Sequence, residues 1–202
     1  MKRFTSQAGQ DKWVCEFFKE KKNGYFLDIG AYDGVRWSNT YSLEKELDWT
    51  GLLIEASLDL CNHMKISRSS QIIQKAVYKE NTILKFKTDK WAGHINENGL
   101  ETVEAVTLKK ILKDYNAPKV IEYASLDIEG GEIDALLGFP FDEYDVILWT
   151  VEHNLYYGDS KFKDEIFKIL SINGYTRTHD NVCSGGDPKY PFEDWYVNNK
   201  YL

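Results

Sequence analysis

Gly24-Tyr25-Phe26-Leu27-Asp28-Ile29-Gly30-Ala31-Tyr32-Asp33-Gly34 reads as a buried strand running into a tight glycine turn. Tyr25, Phe26, Leu27 and Ile29 supply the short apolar run that a central parallel strand needs, because helices cover both of its faces. Ser38-Asn39-Thr40 then offers N-cap side chains before Tyr41, Leu43 and Leu47, whose spacing suits one buried helix face. The unit is strand, glycine loop, helix. Such a unit can hold a dinucleotide, but that fingerprint puts its second glycine where the backbone touches a pyrophosphate. Tyr32 stands there, and the carboxylates of Asp28 and Asp33 repel phosphate. A nicotinamide dehydrogenase is therefore disfavoured.

The pattern D-x-G-x-x-x-G that remains resembles the first motif of S-adenosylmethionine (SAM) dependent methyltransferases. The chemistry agrees, since SAM carries a sulfonium and an ammonium and no phosphate. Further along, Leu52-Leu53-Ile54-Glu55 makes a second strand that ends in a carboxylate. Glu55 falls at about the interval after which an acid grips ribose hydroxyls in nucleoside-binding α/β folds. Ile72 to Val77 gives a third strand with its exit turn, and the backbone around Ala76 is placed to meet an adenine edge.

Composition bounds the remaining possibilities. A chain of 202 residues makes one domain over 1–202 in its simplest reading, and a start at Met1 leaves open excision from a longer chain. A net charge of -7 and a pI near 5.2 weigh against nucleic-acid and anionic-membrane partners. Cys15, Cys61 and Cys183 are odd in number and far apart, which fits reduced thiols in a cytoplasmic compartment. No apolar run reaches membrane-spanning length.

The rest of the chain alternates strands and helices. A helix around Trp13, Val14, Phe17 and Phe18 is expected to pack over the ligand crevice. Asn81 to Thr88 and Glu101 to Val106 form an antiparallel excursion, whose loop carries Trp91 and His94. Val120 to Leu126 and Asp145 to Val151 are buried strands, and Tyr175 to Thr178 with Asp194 to Val197 makes a terminal hairpin at the sheet edge. The expectation is an α/β fold with a doubly wound, mostly parallel, Rossmann-like sheet and an antiparallel edge hairpin. In such sheets ligands sit beyond the carboxyl ends of the strands. The loop Gly30 to Gly34, Glu55, Asp127 to Glu129 and Glu152 to Asn154 should therefore converge.

Ser6-Gln7-x-Gly9-Gln10-Asp11, Leu27-Asp28-Ile29-Gly30-Ala31-x-Asp33-Gly34, Ser38-Asn39-Thr40, Ile54-Glu55, Ser125-Leu126-Asp127-Ile128-Glu129-Gly130-x-Glu132 and Val151-Glu152-His153 together resemble the FkbM-type SAM-dependent O-methyltransferases. Gly131, where alanine is usual, and Lys75-Ala76, where small polar pairs are common, depart from that pattern. The resemblance implies methyl transfer from SAM to a hydroxyl, with sugars as common acceptors, a deoxyhexose of a glycan among them. It implies cofactor contacts at Asp28, Gly30, Ala31, Asp33, Gly34, Asn39, Thr40, Glu55, Ala76 and Asp127. His153 is the first choice of general base because imidazole titrates near neutrality, with Asp127 as rival and Glu129 beside it. Trp91, His94, Glu152, Asn154 and Tyr156 are expected at the acceptor, with Trp37, Tyr157 and Trp195 as further rings for stacking on a sugar face. A second route sets Mg²⁺ on Asp127 with Glu129, Glu152 or Asn154. A phenol or small-molecule O-methyltransferase and a non-catalytic SAM-binding module are the alternatives. The oligomeric state stays open.

Overall fold

The computed structural model describes residues 4–88, 93–158 and 160–202, with the side chains of residues 88 and 94 left out. Helix α1 (Gln10–Phe17) leads into strand β1 (Tyr25–Ile29), helix α2 (Tyr41–Leu47), strand β2 (Thr50–Glu55), helix α3 (Leu58–Ser67) and strand β3 (Gln71–Gln74). Short strands β4 (Ala76–Val77), β5 (Thr82–Thr88), β6 (Gly93–Ile95) and β7 (Glu101–Val106) follow. Helix α4 (Leu108–Asp114), strand β8 (Val120–Leu126), helix α5 (Glu132–Leu137), strand β9 (Asp145–Glu152), helix α6 (Ser160–Ile172) and strands β10 (Tyr175–Cys183) and β11 (Pro191–Asn198) complete the chain.

The described strands form a seven-stranded sheet in the order β10-β11-β9-β8-β1-β2-β3 and a four-stranded sheet in the order β4-β7-β5-β6. From β3 to β9 the large sheet is parallel. Strand β11 runs against both β9 and β10. The edge hairpin expected from the sequence is present, with β11 wedged inside the sheet and β10 at its rim.

Alternation along β1 explains why the sheet is covered twice. Phe26 packs with Val14, Leu43 and Cys61 of α1 to α3, while Leu27 and Ile29 pack with Ile111, Ala135 and Ile166 of α4 to α6. Successive side chains of a strand point to opposite faces, so one apolar run serves two helical layers. Asp28 shares the face of Phe26 and is only 4% exposed.

The third strand ends at Gln74 with an exit turn, as expected, but Ala76–Val77 beyond the turn is a short strand of its own. The Lys75 N–H donates back to the carbonyls of Glu55 and Ile73, so the chain breaks after Gln74. Ala76 and Val77 then leave the large sheet to pair with β7. Among the described residues no helix is long and apolar enough to cross a membrane.

A buried ion pair fixes the loop between β1 and α2. Arg68 Nε lies 3.1 Å from Glu44 Oε2, with side chains 0% and 3% exposed. The guanidinium also donates to the Gly34 carbonyl (2.8 Å) and Thr40 Oγ1 (2.9 Å). Thr40 in turn donates to Asp28 Oδ2 (2.5 Å). Burial alone would raise the Glu44 carboxyl, but hydrogen bonds from Ser70 and Ser69 and the charge of Arg68 outweigh it and hold the group at about 2. A depressed carboxyl stabilises the fold above its unfolded value of 4.5, and that contribution is lost as pH falls towards 2. We expect the acid limb of thermal unfolding to lose about 2 kcal/mol between these limits through Glu44, after allowance for solvent screening. In Glu44→Gln, melts recorded from pH 6 to pH 2 should show a shallower acid limb; an unchanged slope would refute the assignment.

Candidate cofactor and acceptor crevice

Beyond the carboxyl ends of β1, β2, β8 and β9 two adjoining cavities of about 280 and 270 Å³ share Gly30, Glu55, Ile128 and Glu129 in their walls. The first runs from Ile54 and Glu55 past Ala76 and Tyr78 to Phe86 of the small sheet. The second is walled by Asp28, Asn39, Ser125, Asp127 and Glu152, with Trp37 and Tyr156 also in its lining.

Gly30 is what lets the cavities meet. Its φ is +87°, and a Cβ there would lie 1.6 Å from the Asp127 carbonyl oxygen. Only glycine accommodates both. Glu55 is fixed by the Tyr32 N–H (3.1 Å) on Oε2 and the Ser57 N–H (2.8 Å) on Oε1, and burial raises its carboxyl. Burial likewise raises Asp28. Asn39 donates through Nδ2 to Ser125 Oγ (2.8 Å), while its Oδ1 is buried without a partner.

The acids converge as expected, and one more joins them. Leu126 is in register with Val151, and Glu152 with Glu193, so Asp127, Glu152 and Glu193 follow one another across β8, β9 and β11. Carboxyl oxygens of Asp127, Glu132 and Glu152 lie within 4.8 Å of one another. Burial pushes Asp127 up to about 6 and Glu132 to about 8, and it holds Glu152 well above the ordinary range. Glu129 lines both cavities with a left-handed φ of +58°, a strained backbone of the kind found at functional sites.

Several expected contacts lie elsewhere. His153 is 3% exposed and lines neither cavity. Its Nδ1 accepts the Leu155 N–H (3.1 Å), so Nε2 carries the proton and faces Asp194 Oδ1 (3.2 Å). Both nitrogens are engaged, which removes His153 as the base. Asp33 accepts the Val35 and Arg36 N–H groups, and Gly34 packs on Met64; they shape the turn and line neither cavity. Thr40 is wholly buried between Asp28 and Arg68, behind the wall. Asn154 takes a left-handed φ of +48° and lines neither cavity. Trp195 stacks on Trp13 at 4.8 Å and is buried, so it finishes the core and offers no face to a sugar. Trp91 and the His94 side chain fall outside the described residues.

Gln7 and Gln10 from the N-terminal segment, and Ser125, also line the second cavity. All three stand in the motifs that carry the family resemblance, although none is among the expected contacts. Gln7 donates to Ser184 Oγ (2.6 Å), a pairing across 177 residues that no local pattern announces.

The donor set suits SAM. Carboxylates at Asp28 and Glu55 attract its positive charge and its ribose hydroxyls, and the partnerless Asn39 Oδ1 calls for a donor such as an ammonium.

Solved structures share this architecture. A candidate O-methyltransferase from Klebsiella pneumoniae is 10% identical with a TM-score of 0.56, over 95% of this chain and 80% of that one. The cofactor-bound protein Rv0187 from MTB is 10% identical with a TM-score of 0.54, over 98% and 83%. A TehB-like SAM-dependent methyltransferase from Corynebacterium glutamicum is 8% identical with a TM-score of 0.53, over 94% and 87%. At such identities the likeness is one of fold. No curated protein matches in sequence. The methyltransferase FkbM domain family matches residues 28–177. With most of the chain inside that match, and a SAM-methyltransferase fold around it, the protein belongs to the FkbM methyltransferase family.

Proposed function

We propose that this protein transfers the methyl group of SAM to a hydroxyl of a sugar, a deoxyhexose of a glycan being the model acceptor. The observation that carries the reading is the junction of the two cavities at Gly30, Glu55 and Glu129, which joins a donor pocket to an acid-lined acceptor pocket. Glu55 and Asp28 would hold the ribose and the charged end of the cofactor, and Ala76 would face its base. When bound, SAM supplies a methyl group made electrophilic by its sulfonium.

The chain's own residues do the rest. Trp37, 51% exposed, and Tyr156, 40% exposed, offer ring faces at the second cavity on which the apolar side of a sugar can stack. Holding the acceptor hydroxyl in line is worth roughly 7 to 11 kcal/mol of barrier. Of the carboxylates that line the second cavity, Asp127 and Glu129 are the two we assign to take the proton of that hydroxyl.

The test is methyl transfer from labelled SAM to a panel of free and glycan-linked sugars and to phenols, preceded by calorimetry with S-adenosylhomocysteine. We expect uptake of S-adenosylhomocysteine and label on sugar hydroxyls. Label on phenols alone would replace the sugar by a small aromatic acceptor. Uptake without any transfer would indicate a non-catalytic module, and no uptake would overturn the reading.

A further inference from the structure

Acidic side chains gathered in a protein interior repel one another once ionised, and an opposite charge between them relieves the repulsion. Among the described residues Asp127, Glu132 and Glu152 have no Lys, Arg or His as an ion-pair partner. The nearby cations Lys163 and Arg177 are committed to Asp194 instead. Two of the three carboxyls have hydrogen-bonding or solvent outlets. Glu132 accepts the Ile128 N–H (2.8 Å) and the Gly130 N–H (3.1 Å), and Asp127 is partly open to the second cavity. Glu152 shares a hydrogen bond with Asp127 inside the cluster, but it is only 7% exposed and its Oε2 is buried without a partner. Its register neighbour Glu193 already accepts Trp195 Nε1 (2.5 Å) and is satisfied. An unpartnered buried carboxylate oxygen that lines a ligand cavity, beside two more carboxylates within 4.8 Å, asks for positive charge.

We propose that Asp127, Glu132 and Glu152 form a seat for one cation at the inner end of the acceptor cavity, filled by a divalent metal ion or by a protonated amine of the acceptor. Both are hard, strongly hydrated positive groups that oxygen ligands suit. This deepens the reading above and rests on it for the word acceptor. A carboxylate has two oxygens, so Asp127 can meet the cation with one and take the proton of the hydroxyl with the other, with Glu129 beside it in the wall of both cavities. A metal ion would acidify that hydroxyl, whereas an ammonium would orient an amino sugar.

The experiment has two arms on the metal-stripped protein. In the first, Mn²⁺ is titrated and the free-ion resonance is followed by electron paramagnetic resonance. In the second, glucosamine and glucose are titrated by calorimetry in EDTA with S-adenosylhomocysteine present. Saturation at one Mn²⁺ per chain identifies the metal ion, and binding of glucosamine in clear preference to glucose identifies the amine. Glu152→Gln and Glu132→Gln should weaken whichever binding is seen by about tenfold or more, the scale at which even supporting residues of metal sites act. Circular dichroism checks the fold, and Asp127→Asn replaces either variant that does not fold. Neither arm binding, or binding that the substitutions leave unmoved, overturns the proposal. Calorimetry with S-adenosylhomocysteine keeps the two readings apart. Cofactor uptake without a cation sinks only this inference, and a cation without cofactor uptake sinks only the methyl-transfer reading.

Discussion

Replacing Gly30 by alanine is expected to lower the free energy of unfolding by about 3 kcal/mol or more, combining backbone strain with overpacking. The added methyl would stand 1.6 Å from the Asp127 carbonyl oxygen, on a residue whose φ of +87° already disfavours any side chain. Neither neighbour yields cheaply. The Gly30 N–H is held by the Ile54 carbonyl at 2.9 Å, and the Asp127 N–H by the Ile29 carbonyl at 3.0 Å, so β1 is locked to strands on both sides. Relief comes only by parting β1 from the end of β8, which opens the wall shared by the two cavities. Thermal melts and S-adenosylhomocysteine calorimetry on Gly30→Ala should both report the damage. A variant within about 1 kcal/mol of the parent, a typical cost for an ordinary substitution, would show that the crevice tolerates what the geometry forbids.

Asp127→Asn is expected to cut turnover by about 10² to 10⁴, the usual worth of an acid or base in place. Asparagine keeps the size of the side chain and removes its ability to ionise beside the acceptor. Cofactor affinity should stay within about tenfold, or 1.4 kcal/mol, because Glu55 and Ala76 of the first cavity, and Asp28 and Asn39 of the second, keep their own places when Asp127 is replaced. The decisive measurement is turnover at saturating acceptor together with the affinity for S-adenosylhomocysteine. Turnover that falls less than tenfold would take Asp127 out of the chemistry, and a collapse of cofactor binding would move its role to the donor side.

The strand, glycine loop and helix around Gly30 were legible because Phe26, Leu27 and Ile29 are wholly buried, and burial leaves its mark in local composition. The convergence of Glu55, Asp127 and Glu152 was legible for a topological reason, since strand ends of a parallel sheet share one edge. What escaped depends on partners far along the chain. Nothing beside His153 in the sequence names Asp194, 41 residues on, as the group that holds its ring. Trp195 looked like a loop ring because nothing near it names Trp13 as its stacking partner. That Ala76–Val77 beyond the exit turn is a strand of its own depends on β7, with which it pairs further along the chain. Thr40 and Asp33 lie in the right loop, but sequence does not tell which side of a loop faces the ligand.

The wedged position of β11 matters for how the chain is made. Strand β10 is synthesised first, yet among the described strands its one neighbour in the sheet is β11, so at the ribosome it must wait for Asn198 before it can join. Until then β9 presents a bare, apolar rim, the kind of exposed edge that invites pairing with another nascent chain. A polypeptide stalled or clipped between residues 183 and 191 would therefore be a ready client for a chaperone, although every acid from Asp28 to Glu152 had already been translated.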